Sequence, residues 1–524
     1  MGRTDLRPAS NNGIPVPVES FVPAAYGPAT NTTRRNVMTF GDGVLGLAAT
    51  FQDVAYRTGF ELSVTPSRCR LRISNGNPKL NTLTPQSINF TGLWWGTPTI
   101  TANWLGDFVS APTKVLNAWT ADPGTTEYVS PWFTPPTTAI ANNPQAISLG
   151  FTVAVDSKIN YSGTPGLCWH GASGSGFAAA AGGATYPGGA FNSNPYAATP
   201  MDIRIEYEYS GYQQIGLYLG TSITNGYDSV WSAAFTKWRA FNGPMNRFPD
   251  MACQRMGHCA LNAGLGGAST DTYTNFTSQA WKRLFSPESN FTTMACTPDY
   301  AVIELGINDG VLLTTLATFQ ANIMSITNYL GNTLGIQRVY VTTATPGLLL
   351  NVVAPTPVGG ILAASTIAGA TSFTMASPNT NVPVGGAGGF YGGWPGIPAM
   401  WYNGVSVPVY IDDPASGWGE ALTCSAAAGT TTITLTTSAA ANAHSKGAPI
   451  YGGAEALRQQ YNVWFRSGVP NTVATIDMSS ISSEPTPPYK QLSSYYPNIP
   501  DNHPTTLALY YNMAEQITTS ILGI

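Results

Sequence analysis

The sequence predicts an α/β protein whose parallel sheet is preceded by an antiparallel β-domain and interrupted by a small β-module. Three observations point there. Apolar residues alternate with period two through residues 34–210. From about residue 211, short apolar strands alternate with segments of helical period, the pattern of βαβ units around a buried parallel sheet. That series stops near residue 354 and resumes near 452.

The β-domain is read from its strands. Ile203, Ile205, Tyr207 and Tyr209 alternate with Asp202, Arg204, Glu206 and Glu208, and Cys69, Leu71 and Ile73 alternate with Arg68, Arg70 and Arg72. Ile147, Leu149, Phe151, Val153 and Val155 also fall on every second position. One polar face per strand predicts half-buried antiparallel strands, and Gly/Pro/Asn turns between them suggest a β-sandwich over 34–210. Residues 1–33, rich in Pro, Asn and Thr, read as an extended arm.

Beyond it, strands are expected at Gln214 to Leu219, Cys259 to Ala263, Tyr300 to Leu305, Gln337 to Thr343 and Val473 to Met478. Helices are expected at Ser229 to Phe241, Thr274 to Leu284, Leu316 to Leu330, Ala454 to Arg466 and Thr505 to Leu522. The α/β unit would thus comprise 211–354 and 452–524. Residues 355–451 read as an inserted β-module, in which Ala368 to Met375 resembles Ala428 to Leu435: a Gly turn feeding an alternating Thr/apolar strand.

Composition removes several functions. Only 10% of the 524 residues are charged, with net charge −4, against a usual value of about 25%. So few Lys and Arg cannot build the basic surface that nucleic acid requires. Val339 to Ile411 contains no charged residue, yet Pro346, Asn351, Pro355 and Pro357 cut its apolar runs well short of the ~20 residues of a membrane span. The N-terminal MGRTDLRPASNNG has no apolar core of a signal peptide. The six cysteines form no CxxC pair. Cys253, His258 and Cys259 could contribute to a metal site, but buried free thiols are the expected reading, with no metal or cofactor.

Strand-to-helix junctions are where α/β proteins place working groups. The first, Leu219-Gly220-Thr221-Ser222, would set Ser222 at the mouth of a helix, as a nucleophile or as a capping residue. A serine nucleophile needs a base, and the chain has four histidines: His170, His258, His444 and His503. His503 stands directly before the last helix with Asp501 two residues away. Asn262 to Gly267 and Gly306-Ile307-Asn308-Asp309 follow the next two strands, offering a backbone N–H and an amide donor.

Ser, Gly, Asn and His in this order resemble the SGNH (GDSL-type) hydrolases. The resemblance covers 210–350 and 452–524, and its most specific part is Gly306 to Asp309. It implies a flavodoxin-like three-layer α/β/α domain and ester hydrolysis. By it, Ser222 is the nucleophile, His503 the base and Asp501 the orienting acid, while Ser222, Gly267 and Asn308 form the oxyanion hole. Two departures stand out: Thr221 replaces the family's Asp, and the acid and base are spaced Asp-x-His rather than Asp-x-x-His. Phe40-Gly41-Asp42-Gly43 imitates the first motif but lacks a serine and is read as a decoy. No Gly-x-Ser-x-Gly elbow occurs, which argues against the ordinary α/β-hydrolase fold.

The expected substrate is an O-acetyl or other acyl ester on a cell-surface or cell-wall glycan. Trp394, Trp401, Tyr402 and Trp418 could stack on sugar rings, or build the module's core. The domain arrangement resembles phage tail-associated esterases, which implies a virion or extracellular location, other tail proteins as partners and a homo-oligomer. Rival readings are a non-catalytic tail or adhesin protein with a decayed hydrolase domain, and a lipid-ester hydrolase.

Overall fold

The computed structural model describes residues 33–44, 46–48, 52–84, 86–99, 106–123, 127–136, 140–154, 157–171, 196–226, 247–345, 360–376, 407–413, 416, 418–425, 432–436, 439–483 and 507–524. The chain is a mixed α/β protein with one five-stranded parallel sheet and separate antiparallel sheets before and within it. The predicted helix at 229–241 and residues 1–32 of the predicted arm lie outside the described residues.

In the parallel sheet the spatial order is Cys259–Asn262, Ile215–Gly220, Tyr300–Glu304, Val339–Thr342, Ala474–Ile476. The Ile215–Gly220 strand therefore lies between the second and third strands of the chain, and the loops leaving those two flank its own. Its strands are buried on both faces, as parallel strands are. Leu217, Leu219, Ala301, Ile303 and Val341 share a cluster with Phe319 and Ile323 of helix Leu316–Asn328 and with Tyr461 and Phe465 of helix Gly453–Arg466. Alternate residues Tyr218, Tyr300, Val302 and Tyr340 pack instead with Met251 of helix Phe248–Met256 and with Met513 and Ile517 of helix Leu507–Leu522.

The helix expected over 274–284 is two short helices, Thr270–Thr274 and Gln279–Lys282. Asn275 divides them. Its Oδ1 accepts from Thr277 N at 3.3 Å and Thr277 Oγ1 at 3.0 Å, an Asx turn that competes with helical bonding.

The described residues of 33–210 form a four-stranded, an eight-stranded and a two-stranded antiparallel sheet. Their apolar side chains, including Val37, Leu71, Ile205, Tyr56 and Leu149, belong to the same continuous cluster as Leu217 and Ile303 of the parallel sheet. Most of the polar strand face, expected to meet water, does not; Arg68 alone of its arginines is exposed. Arg72, Arg204 and Glu206 are buried. Arg72 Nη2 donates to Phe285 O at 2.8 Å, Arg204 Nη1 donates to Arg283 O, and Arg70 pairs with Glu206 at 2.7 Å and with Glu288. Arg283 Nη2 bonds Asp202 Oδ1 at 2.9 Å and Gly41 O at 3.2 Å. These charges thus form a largely buried interface between the β-domain and the loop 283–288. The N-terminal strand Thr33–Thr39 also shields the sheet's edge: Asn36 Nδ2 donates to Ala260 O at 2.9 Å and Thr39 Oγ1 to Asn262 O at 2.7 Å.

The interruption contains a six-stranded antiparallel sheet. The two similar segments contribute strands Ser372–Thr374 and Thr432–Leu435, which pair with each other in the register Phe373 to Ile433. Strand Pro449–Gly452 closes the module and runs straight into helix Gly453–Arg466. Among the described residues no helix is long and apolar enough to cross a membrane.

Candidate active site

Ser222 begins the helical turn Ser222–Asn225 at the carboxyl end of the Ile215–Gly220 strand and is 5% exposed. The turn is too tight for a side chain at Gly220, where a Cβ would stand 2.0 Å from Thr224 Oγ1. Thr221 caps the turn, accepting from Ile223 N at 3.2 Å. A carboxylate from the neighbouring strand reaches Thr221. Glu304 Oε2 accepts from Thr221 N at 3.1 Å, Thr221 Oγ1 at 2.7 Å and Thr224 Oγ1 at 2.9 Å. Burial pushes the Glu304 carboxyl above its ordinary range, against the pull of those donors.

The second loop lies against the first, backbone on backbone. Leu265 N donates to Gly220 O at 3.0 Å, and a Cβ on Gly264 would be 2.6 Å from Asn225 N. Tyr273 Oη ties the two together, donating toward Gly220 O at 2.7 Å and Ala263 O at 2.9 Å. Gly267 turns the loop at φ +66°, a conformation that suits glycine. The third loop joins through its side chains. Asn308 Nδ2 donates to Ala268 O at 2.8 Å, and the Asp309 carboxylate accepts from Thr270 N at 3.0 Å and Thr270 Oγ1 at 2.5 Å. Desolvation raises the Asp309 carboxyl to about 6 despite these bonds.

The structure therefore brings Ser222, Gly267 and Asn308 to one edge of the sheet, on three loops from three adjacent strands. Asp501 and His503 lie outside the described residues, as do Trp394, Trp401 and Tyr402; of Trp418 the backbone is described, in strand Trp418–Ser425. Two other histidines are placed elsewhere. His258 precedes the Cys259–Asn262 strand, at the end of the sheet opposite Ser222, with Nδ1 3.3 Å from Tyr300 Oη. Burial pushes its imidazole down to about 4. His444 is buried in the inserted module with Nε2 2.8 Å from Glu420 Oε2.

Cys69, Cys253, Cys259, Cys296 and Cys424 are buried free thiols. Among the described residues no three His, Cys, Asp or Glu side chains converge as metal ligands. Cys253 Sγ instead lies 3.4 Å from Tyr300 Oη, and burial raises its thiol to about 12.

One residue read as a decoy enters the site. Asp42 Oδ2 accepts from Asn225 Nδ2 at 2.6 Å and from Gly266 N at 2.8 Å, while Oδ1 accepts from Val44 N at 3.1 Å. The β-domain thereby braces the first and second loops at once. Asp42 is fully buried, which raises its carboxyl above the ordinary range. Sequence pattern could not assign it, because Phe40-Gly41-Asp42-Gly43 shows neither a nucleophile nor a strand-to-helix junction. Glu304 precedes Gly306 to Asp309 in sequence, but nothing in the sequence pairs it with Thr221.

No family model matches the sequence, and no curated protein matches it. Solved structures do show likeness. A carbohydrate esterase family 2 enzyme with a carbohydrate-binding domain from Corynascus thermopiles (Myceliophthora fergusii) is 10% identical, covering 93% of this chain and 100% of its own at a TM-score of 0.31. A family two carbohydrate esterase from Cellvibrio japonicus is 10% identical, covering 62% and 81% at 0.23. A protein placed in the lipolytic G-D-S-L family, from Desulfitobacterium hafniense, is 11% identical and covers 58% and 98% at 0.29.

Proposed function

We propose that this protein is an SGNH-type serine hydrolase that cleaves carboxylic esters, with acyl groups on a cell-surface or cell-wall glycan as its substrate class. The observation that carries this reading is the meeting of Ser222, Gly267 and Asn308 on three loops at adjacent strand ends, together with the sequence motifs those loops contain. In this reading the sheet and its helices are a flavodoxin-like three-layer unit, flanked by an accessory β-sandwich and an inserted β-module. The glycan is inferred from the hydroxyl- and aromatic-rich modules, and a virion-tail or extracellular setting from the resemblance of the domain arrangement to phage tail-associated esterases.

In this reading the chemistry is acyl transfer through Ser222. His503, oriented by Asp501, removes the Ser222 hydroxyl proton, and Oγ attacks the ester carbonyl. Ser222 N, Gly267 N and Asn308 Nδ2 face the tetrahedral oxyanion; Asn308 has a second amide hydrogen beyond the one given to Ala268 O. Collapse expels the alcohol, which takes the proton from His503. Water then attacks the acyl-enzyme with the same base, yielding the acid and free Ser222. No cofactor is needed.

Hydrolysis of 4-nitrophenyl acetate tests this. Ser222→Ala should fall to the uncatalysed background, since losing a nucleophile costs about 10⁴-fold or more. Wild-type turnover by that variant would refute the reading. Acetate release from O-acetylated glycans then sorts the substrate class: release from lipid esters alone would place the enzyme among lipid-ester hydrolases.

A further inference from the structure

The β-domain carries a second group to this site. Residues Gly76–Asn77 and Thr82–Leu83 form a short hairpin. Its turn is fixed internally, with Leu80 N donating to Asn77 Oδ1 at 3.1 Å and Asn81 adopting φ 54°. It is fixed externally at both ends. Asn77 Nδ2 donates to Val44 O at 3.2 Å, two residues from Asp42, and Asn81 Oδ1 accepts from Gln279 N at 2.9 Å. The tip residue between these anchors is Lys79. Its Nζ lies 2.6 Å from the point that a Cβ on Gly267 would occupy.

A lysine merely decorating the surface would keep its ammonium in water or pair it with a carboxylate. Lys79 is half-buried, and among the described residues its ammonium makes no hydrogen bond or close ion pair; Asp42 acts on it only through the longer-range field. Burial without a direct partner disfavours the charged form, and the pKa is lowered accordingly. The position of Lys79 is that of a cation held beside the loop that contains Gly267.

We propose that Lys79 is a catalytic residue supplied by the β-domain: its ammonium stabilises the oxyanion that forms at Gly267 during ester hydrolysis. This rests on the hydrolase reading above. A positive charge fixed beside developing negative charge, in a partly desolvated site, lowers the barrier without contributing to ground-state binding of a neutral ester.

The test is steady-state hydrolysis of neutral 4-nitrophenyl acetate by the full chain, as wild type, Lys79→Met, Lys79→Arg and Ser222→Ala, with thermal melts of each. Lys79→Met should lose about ten- to a hundredfold in kcat with KM within twofold, below the effect of losing a direct oxyanion-hole donor. Lys79→Arg should recover most of that loss. Lys79→Met at the wild-type rate beside an inactive Ser222→Ala overturns the Lys79 assignment and leaves the hydrolase reading intact. Lys79→Arg as slow as Lys79→Met, or a KM-only effect, also overturns it, because packing or binding would then be responsible. Activity surviving in Ser222→Ala removes both.

Discussion

The β-domain of residues 33–210 shares one continuous apolar core with the parallel sheet, whereas the inserted sheet of residues 360–452 has a cluster of its own that reaches helix Gly453–Arg466 through Ala456. The contrast extends to polar groups. The β-domain sends Asp42 to the loops after strands Ile215–Gly220 and Cys259–Asn262 and buries Arg72, Arg204 and Glu206 against loop 283–288. The inserted module spends its buried charges internally, with Asp413 and Glu420 serving Ser416, Ser445, Ala441 and His444. Proximity along the chain therefore misleads here: the module inserted within the α/β sequence is the more self-contained, and the one preceding it is built into the candidate site.

Excision should expose this difference most strongly. Removing residues 34–210 uncovers the cluster around Ile215 and Leu261 and leaves Arg283 without Asp202, so soluble, cooperatively melting protein should be lost. Replacing residues 360–452 with a Gly/Ser linker should preserve a cooperative melt and aryl-acetate turnover within a few-fold. The opposite pattern in thermal denaturation would break the comparison.

Within the charged interface, Arg72→Met should destabilise by about 3–5 kcal/mol, because Glu127 and Glu206 are left buried with fewer partners. Adding Glu127→Leu should restore part of the loss in urea melts. A single-variant effect below about 1 kcal/mol would mean the interface is hydrated. Asp42→Ala removes the acceptor for Asn225, Gly266 and Val44, at about 2–4 kcal/mol. It should also lower kcat more than tenfold as the first two loops loosen. Unchanged kcat would show that this brace is structural alone.

The smallest effect belongs to His258. Its imidazole, held down near 4, stays neutral in the folded state while the unfolded chain takes up a proton near 6.5. It therefore costs stability as pH falls from about 6.5 toward 4, and His258→Gln should flatten that decline in melting temperature. The pH–rate profile above pH 5 should not move, because His258 lies at the opposite end of the sheet from Ser222.

Much of this architecture is legible in the residues. Each expected parallel strand appears within a residue or two, because apolar runs between Gly and Pro punctuation have few alternatives. What escapes the pattern is long-range. Alternation in Arg68 to Ile73 reveals a polar face but not that loop 283–288 covers it. Thr221 looks like a weakened motif until Glu304 is placed beside it, 83 positions away in sequence. Asp42 looked irrelevant for the same reason, since its partners come from Asn225 and Gly266.

The most direct test of the central claim is labelling with a fluorophosphonate followed by intact and peptide mass spectrometry. The proposed site predicts a single adduct on Ser222, absent in Ser222→Ala and slowed in Asp42→Ala. No adduct on folded wild-type protein, or an adduct on another serine, would contradict it.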